Sequence, residues 1–211
     1  MLLAVSMLAS LLGSLFASQQ AAAFQSWIER RDAGVVRQQY DTSCGAAALA
    51  TLLSYYYLRP TSERDVLERL LEQQKSSALS FADLARLANS FGFGSMGVAV
   101  LLKDLARLQQ PVIVAMETAG RAHFSLIRGV NKSGGVMLAD PSWGNRWIAR
   151  HELASLIPGE KARILLIGDR ARHRVSQDYF HRSPASGAVP ILPSGFEAAR
   201  SPGRLKPSFG S

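Results

Sequence analysis

The run GAAALATLLSYYY, residues 45–57, carries no charged side chain on any face. Its small and apolar residues predict a helix ended by Arg59-Pro60, and a helix that is apolar all round belongs in an interior. Around it the pattern divides in two. Thr61 is predicted to cap a second helix, with Val66, Leu67, Leu70 and Leu71 at helical spacing. Ser80 is predicted to cap a third, whose stripe is Phe81, Leu84, Leu87, Ala88 and Phe91, stopped by Gly92 and Gly94. From there the period changes. Residues 98–100 predict a short strand and 101–109 a short helical turn. Strands follow at 111–116, 123–130, 136–140, 146–148 and 163–167, with a hairpin turn at 131–135 and a short helix at 151–156. Helices first and a meander of strands second predict an α+β fold with an antiparallel sheet.

At 211 residues, the chain is long enough for one domain with its own core, and 47% hydrophobic with 19% charged residues is a globular composition. The amino-terminal 23 residues are predicted to form a secretory signal peptide. An apolar stretch runs to Ala17, and Ala21-Ala22-Ala23 offers a small-residue cleavage site. No Lys or Arg precedes the apolar run, so retention as a membrane anchor stands as the alternative to cleavage after Ala23. The expected location is periplasmic or secreted. Residues 169–211 are rich in Pro, Gly and Ser, and from Arg170 onward they hold seven basic residues against two acids. They are expected to form a flexible basic tail that contacts an anionic membrane surface or a partner. The net charge of +8 is thus concentrated in a tail rather than on an ordered face with interleaved aromatics, which excludes nucleic acid as a partner.

Two site classes are set aside. Gly92-Phe-Gly94-Ser-Met-Gly97 fits G-x-G-x-x-G, but it follows a helix and leads into a strand, the reverse of a dinucleotide fingerprint. The chain has a single cysteine, so it holds no internal disulfide, and no Cys/His cluster has zinc-site spacing. No cofactor and no metal are expected.

That single cysteine is Cys44, at the first turn of the uncharged helix. Core filler would fall further in, on the apolar stripe. A helix amino terminus favours the thiolate, which is the nucleophilic form. A thiolate enzyme needs an imidazole partner and a group to orient it. Of the four histidines, His173 and His181 lie in the tail and His151 in a polar segment. His123 starts an apolar strand, which suits either a hydrogen-bonded structural residue or a functional one. Asp140 ends the strand that pairs with it through the hairpin, so both can reach one sheet edge; an Asp-Pro turn is its structural alternative. Gln38 could supply an oxyanion donor alongside the Cys44 amide, with Gln39 as the neighbour that could be surface. In the order Gln38, Cys44, His123, Asp140, each role of a papain-like mechanism is filled once.

The stretches QQYDTSCGAAAL, SFADLARLANSFGF, LKDLARLQQPVIVAM, AHFSLIRGV and LADPSWGNRWIARHEL together resemble the bacteriocin-processing peptidases, papain-like cysteine proteases that cut leaders after a double glycine. The resemblance covers roughly residues 37 to 167. It implies a papain-like fold over 37–168, preceded by a lead-in at 24–36. It also implies Cys44 as nucleophile, His123 as base, Asp140 as orienter and Gln38 as oxyanion donor, acting on a peptide or protein substrate. Ser43 stands where the family usually has Asp, and Ala46 where Pro often follows; double-glycine specificity therefore stays open. The competing function is a non-catalytic peptide-binding module of a surface or secretion system. A cell-wall amidase or transglutaminase with the same order of residues is a third.

Overall fold

The uncharged helix does lie at the centre of the protein. The computed structural model describes residues 26–72, 79–169 and 174–182. The expected signal peptide, and the tail apart from Asp169 and 174–182, lie outside the described residues. Helix α1 (Trp27–Asp32) is followed by α2 (Cys44–Thr51), α3 (Glu63–Glu72) and α4 (Phe81–Ser90). Every residue of α2 is buried. Its alanines keep it slim enough for α3, α4 and the sheet to pack on it at once. The last part of the predicted helix, Leu52–Tyr56, winds as a π-helix, with the Tyr57 amide donating to the Leu52 carbonyl.

The starts of α3 and α1 differ from expectation. Ser62, not Thr61, caps α3: its hydroxyl accepts from the Asp65 amide, and the Asp65 carboxylate accepts from the Ser62 amide. Thr61 turns back instead and pairs with the Ser54 hydroxyl. Helix α1 falls in the stretch expected as a lead-in. Its capping box, Ser26 with Glu29, was present in the sequence as S-x-x-E.

The strands are β1 (Phe93–Leu101), β2 (Val112–Thr118), β3 (Arg121–Val130), β4 (Val136–Asp140), β5 (Gly144–Ile148), β6 (Lys161–Asp169) and β7 (His181–Arg182). Helix α5 (Arg150–Leu156) lies between β5 and β6. The sheet order is β1-β6-β2-β3-β4-β5, antiparallel throughout, with β7 added parallel to β3. The α+β expectation is borne out.

Strand alternation splits the core in two. Ile113, Ala115, Leu126, Leu165 and Ile167 pack with α2, α3 and α4. Val112, Val114, Ile127, Leu138 and Ile164 pack with Leu105, Leu153 and Ile157. One bulge interrupts this: Ile127 pairs Leu138 and Gly129 pairs Met137, which leaves Arg128 as an extra residue in β3. There β7 docks, and a Cβ on Gly129 would stand 2.9 Å from the His181 carbonyl oxygen. Residues 174–182 of the expected tail are therefore part of the folded body.

Candidate active site

Helix α2 begins at Cys44 itself, one residue earlier than predicted. Ser43 precedes it but places no side-chain cap on the helix. Its hydroxyl turns to Tyr40, donating to the carbonyl at 2.8 Å and accepting from the amide at 3.2 Å. The sulfur thus sits at the positive end of an uncapped helix. The Phe124 amide of β3 also donates to it, at 3.5 Å.

The His123 ring and the Cys44 thiol are close enough to shift each other's titration, each favouring the charged form of the other. The ring Nε2 lies 2.9 Å from Oδ2 of Asp140. The two side chains are 13% and 1% exposed, so the ion pair is largely shielded from water. The second oxygen of Asp140 accepts from the Ser142 and Trp143 amides at 2.8 and 3.0 Å. Asp140 is both a turn residue and a partner of the ring; the two expectations describe one geometry.

The electrostatics follow from these contacts. Burial pushes the Cys44 thiol up, but the His123 ring and the Phe124 amide outweigh it and hold the pKa below the ordinary value. Burial works against a charged His123 as well. The Asp140 carboxylate and the Cys44 sulfur override it and raise the ring to about 9. Burial would likewise raise Asp140, yet the His123 ring and the two turn amides keep it below the usual carboxylate range. All three shifts favour thiolate, imidazolium and carboxylate together.

Gln38 is fixed at the rim of this arrangement. Its side-chain nitrogen donates to the Tyr40 carbonyl at 2.9 Å, and its side-chain oxygen accepts from the Ser142 hydroxyl at 2.8 Å. Gln39 is exposed, and its backbone amide donates to the buried Glu63 carboxylate at 3.1 and 3.2 Å. His151 is exposed on α5 and His181 lies against Arg128, while His173 is outside the described residues. Sequence reasoning missed the Phe124 amide, the Ser142 and Trp143 amides, and the contacts of Arg37 and Glu63. Ser-Trp-Gly after Asp-Pro signals a turn, but no spacing ties Arg37 or Glu63 to the site.

A family model described as the peptidase C39 family matches residues 32–160, more than half of the chain. The chain belongs to the peptidase C39 family. This is a family of cysteine peptidases, and the resemblance noted in the sequence is borne out. A probable functional amyloid protease FapD of Pseudomonas aeruginosa is 36% identical over 135 residues, covering 62% of this chain and 59% of that protein. Its namesake in Pseudomonas fluorescens is 33% identical over 129 residues, covering 59% of this chain and 57% of that protein. The C39 chain described here therefore spans somewhat under three fifths of the length of these curated relatives. Among solved structures, the peptidase domain of Streptococcus ComA, a bi-functional ABC transporter involved in quorum sensing, superposes with a TM-score of 0.55 at 18% identity. That match covers 64% of this chain and 98% of the other. A double glycine motif protease from an AMS/PCAT transporter, solved with its leader peptide, gives 0.50 at 20% identity over 66% and 94% of the two chains. These likenesses establish the papain-like fold of the C39 domain.

Proposed function

We propose that this C39 domain is an exported cysteine endopeptidase that cleaves a peptide or protein substrate through Cys44, His123, Asp140 and Gln38. The observation that carries the reading is the His123 ring, held at 2.9 Å from Asp140 beside the Cys44 sulfur, whose thiolate it favours. The Cys44 thiolate attacks the scissile carbonyl carbon, and the carbonyl electron pair moves onto oxygen. The Cys44 amide and the Gln38 side chain donate to that oxyanion; only one of the two amide protons of Gln38 is needed by Tyr40. The His123 imidazolium gives its proton to the leaving amine as the C–N bond breaks, which leaves a thioester. Neutral His123 then takes a proton from water, the hydroxide adds to the thioester, and the thiolate departs as the carboxylate product forms.

Export is supported by the apolar amino terminus with its small-residue site. The substrate class is supported by the likeness to a probable functional amyloid protease and to a double glycine motif protease solved with its leader peptide. Sequences with paired glycines are accordingly the first to try. The test is a peptide library digested by wild-type and Cys44→Ala protein under reducing conditions, with new termini read by mass spectrometry. Cleavage by wild type, lost in Cys44→Ala and in His123→Ala while both variants stay folded, is the expected result. Full cleavage by either variant overturns the mechanism. Retention of peptides by wild type without cleavage would make the domain a peptide-binding module.

A further inference from the structure

The turn that holds Asp140 is itself held from behind. Two peptide units follow Asp140, Pro141–Ser142 and Ser142–Trp143. The N–H of each donates to Oδ1 of Asp140, at 2.8 and 3.0 Å. The C=O of each accepts from one side chain, Arg37. Its Nε donates to the Pro141 oxygen at 3.0 Å, and one terminal nitrogen donates to the Ser142 oxygen. Its other terminal nitrogen lies 2.5 Å from Oδ1 of Asp32, a carboxylate that Arg31 also pairs with at 2.6 Å. Two peptide dipoles therefore stand side by side between a guanidinium and a carboxylate, each with its positive end on Asp140.

We propose that Arg37 is a positioning residue of this site, fixing and polarising the two peptide groups that hold Asp140 against His123. The proposal rests on the Cys-His-Asp reading given above. A carbonyl bonded to a cation makes its own N–H a stronger donor, so the effect passes through each peptide to the carboxylate. The planar guanidinium suits this task because its nitrogens sit in a rigid fork that meets both carbonyls and Asp32 at once; a lysine ammonium has no such fork. Gln38 shares the anchor, since its amide donates to the same Pro141 oxygen at 3.1 Å and the Ser142 hydroxyl donates to its side chain. As an ordinary partly exposed ion pair, Arg37 with Asp32 would contribute little to stability. Its two bonds to the turn give it an effect on the chemistry instead.

The test needs no substrate. Cys44 is the only cysteine, so the rate of iodoacetamide labelling from pH 5 to 9 reports its thiolate alone. Without Arg37 the Asp140 carboxylate holds the imidazolium less firmly, and the thiolate forms at higher pH. The Arg37→Ala labelling profile is expected to move up by about one pH unit, which makes its rate about tenfold slower than wild type on the acid side of both inflections. Arg37→Lys should lie between the two, and Asp32→Asn should move in the same direction by less. Thermal melts identify which variants are folded, and Arg37→Lys and Asp32→Asn decide the matter if Arg37→Ala is not. Folded Arg37 variants that label along the wild-type profile overturn the proposal. On a cleaved peptide, Arg37→Ala should lose roughly 10²-fold in kcat with little change in KM, as for a misplaced catalytic group. A wild type that shows the labelling profile but no turnover would count against the peptidase reading alone.

Discussion

A free thiol and a free imidazole are both mostly neutral near pH 7, and an apolar interior should keep them so. Here the opposite charge state is favoured, because each group is the counter-ion of the next: sulfur beside ring, ring beside Asp140, and Asp140 beside two turn amides. The pH dependence follows with a definite sign. Activity rises as the thiolate forms below the ordinary thiol range, and it falls when His123 loses its proton near its raised value of about 9. Asp140→Asn removes the carboxylate that most opposes the burial of the charged ring. The basic limb of the kcat/KM profile should then move down toward the ordinary histidine value of 6.5. The rate should drop by roughly 10²- to 10⁴-fold, the usual worth of a placed general acid and base. A profile measured on a cleaved peptide checks both effects; an unmoved basic limb would show that Asp140 does not set the ring.

At the scale of elements, His123 is delivered by a hairpin with a cost built into its turn. Thr118 of β2 pairs with Arg121 of β3, so the loop is Ala119-Gly120 alone. Both residues have positive φ, 50° and 71°, the twist that a two-residue hairpin turn requires. Glycine meets this freely and alanine does not, at a cost of about 1–2 kcal/mol. Ala119→Asn should therefore stabilise the protein by about 1 kcal/mol in urea unfolding, since asparagine tolerates this region. An unchanged or lowered midpoint would refute the strain. The hairpin also shows what a sequence makes legible. The β-branched runs and the turn residues announced β2, β3 and β4, and with them the approach of His123 to Asp140. By contrast the sequence predicts only 98–100 as a strand after Gly92 and Gly94 stop the helix, yet nine residues of β1 pair with β6, and no atom lies within 4 Å of a Cβ placed on Gly97. The contacts of Arg37 and Glu63 could not be read, because they join one loop to another and a loop to the first residue of α3, which neither period nor spacing relates.

Across the whole molecule, residues 174–182 act as a strap over the back of β3. The basic, Pro- and Gly-rich composition of the 169–211 stretch around it gives no sign of this, since its hold depends on one aromatic and one bulge. Tyr179 is 6% exposed, its hydroxyl donates to the Gly34 carbonyl at 2.7 Å, and its ring stacks under the Arg128 guanidinium at 4.0 Å. Arg128 in turn reaches the Ala33 carbonyl, Asn145 and His181, joining the α1 end, β5 and β7 around a buried cation. Tyr179→Ala should cost about 3 kcal/mol in denaturant unfolding, the scale of a deleted buried aromatic. The strap also carries a pH dependence. Burial lowers the His181 pKa, the Arg128 charge lowers it further, and Asp178 opposes them weakly. The unfolded chain therefore binds a proton below about 6.5 that the folded chain resists, so stability falls as the pH drops below that value. Protonation also removes the ring nitrogen lone pair that faces Arg128 at 3.1 Å. His181→Gln, which has no proton to gain, should flatten this acid limb of the melting temperature between pH 7 and 5. An equal slope in variant and wild type would place the acid sensitivity elsewhere in the fold.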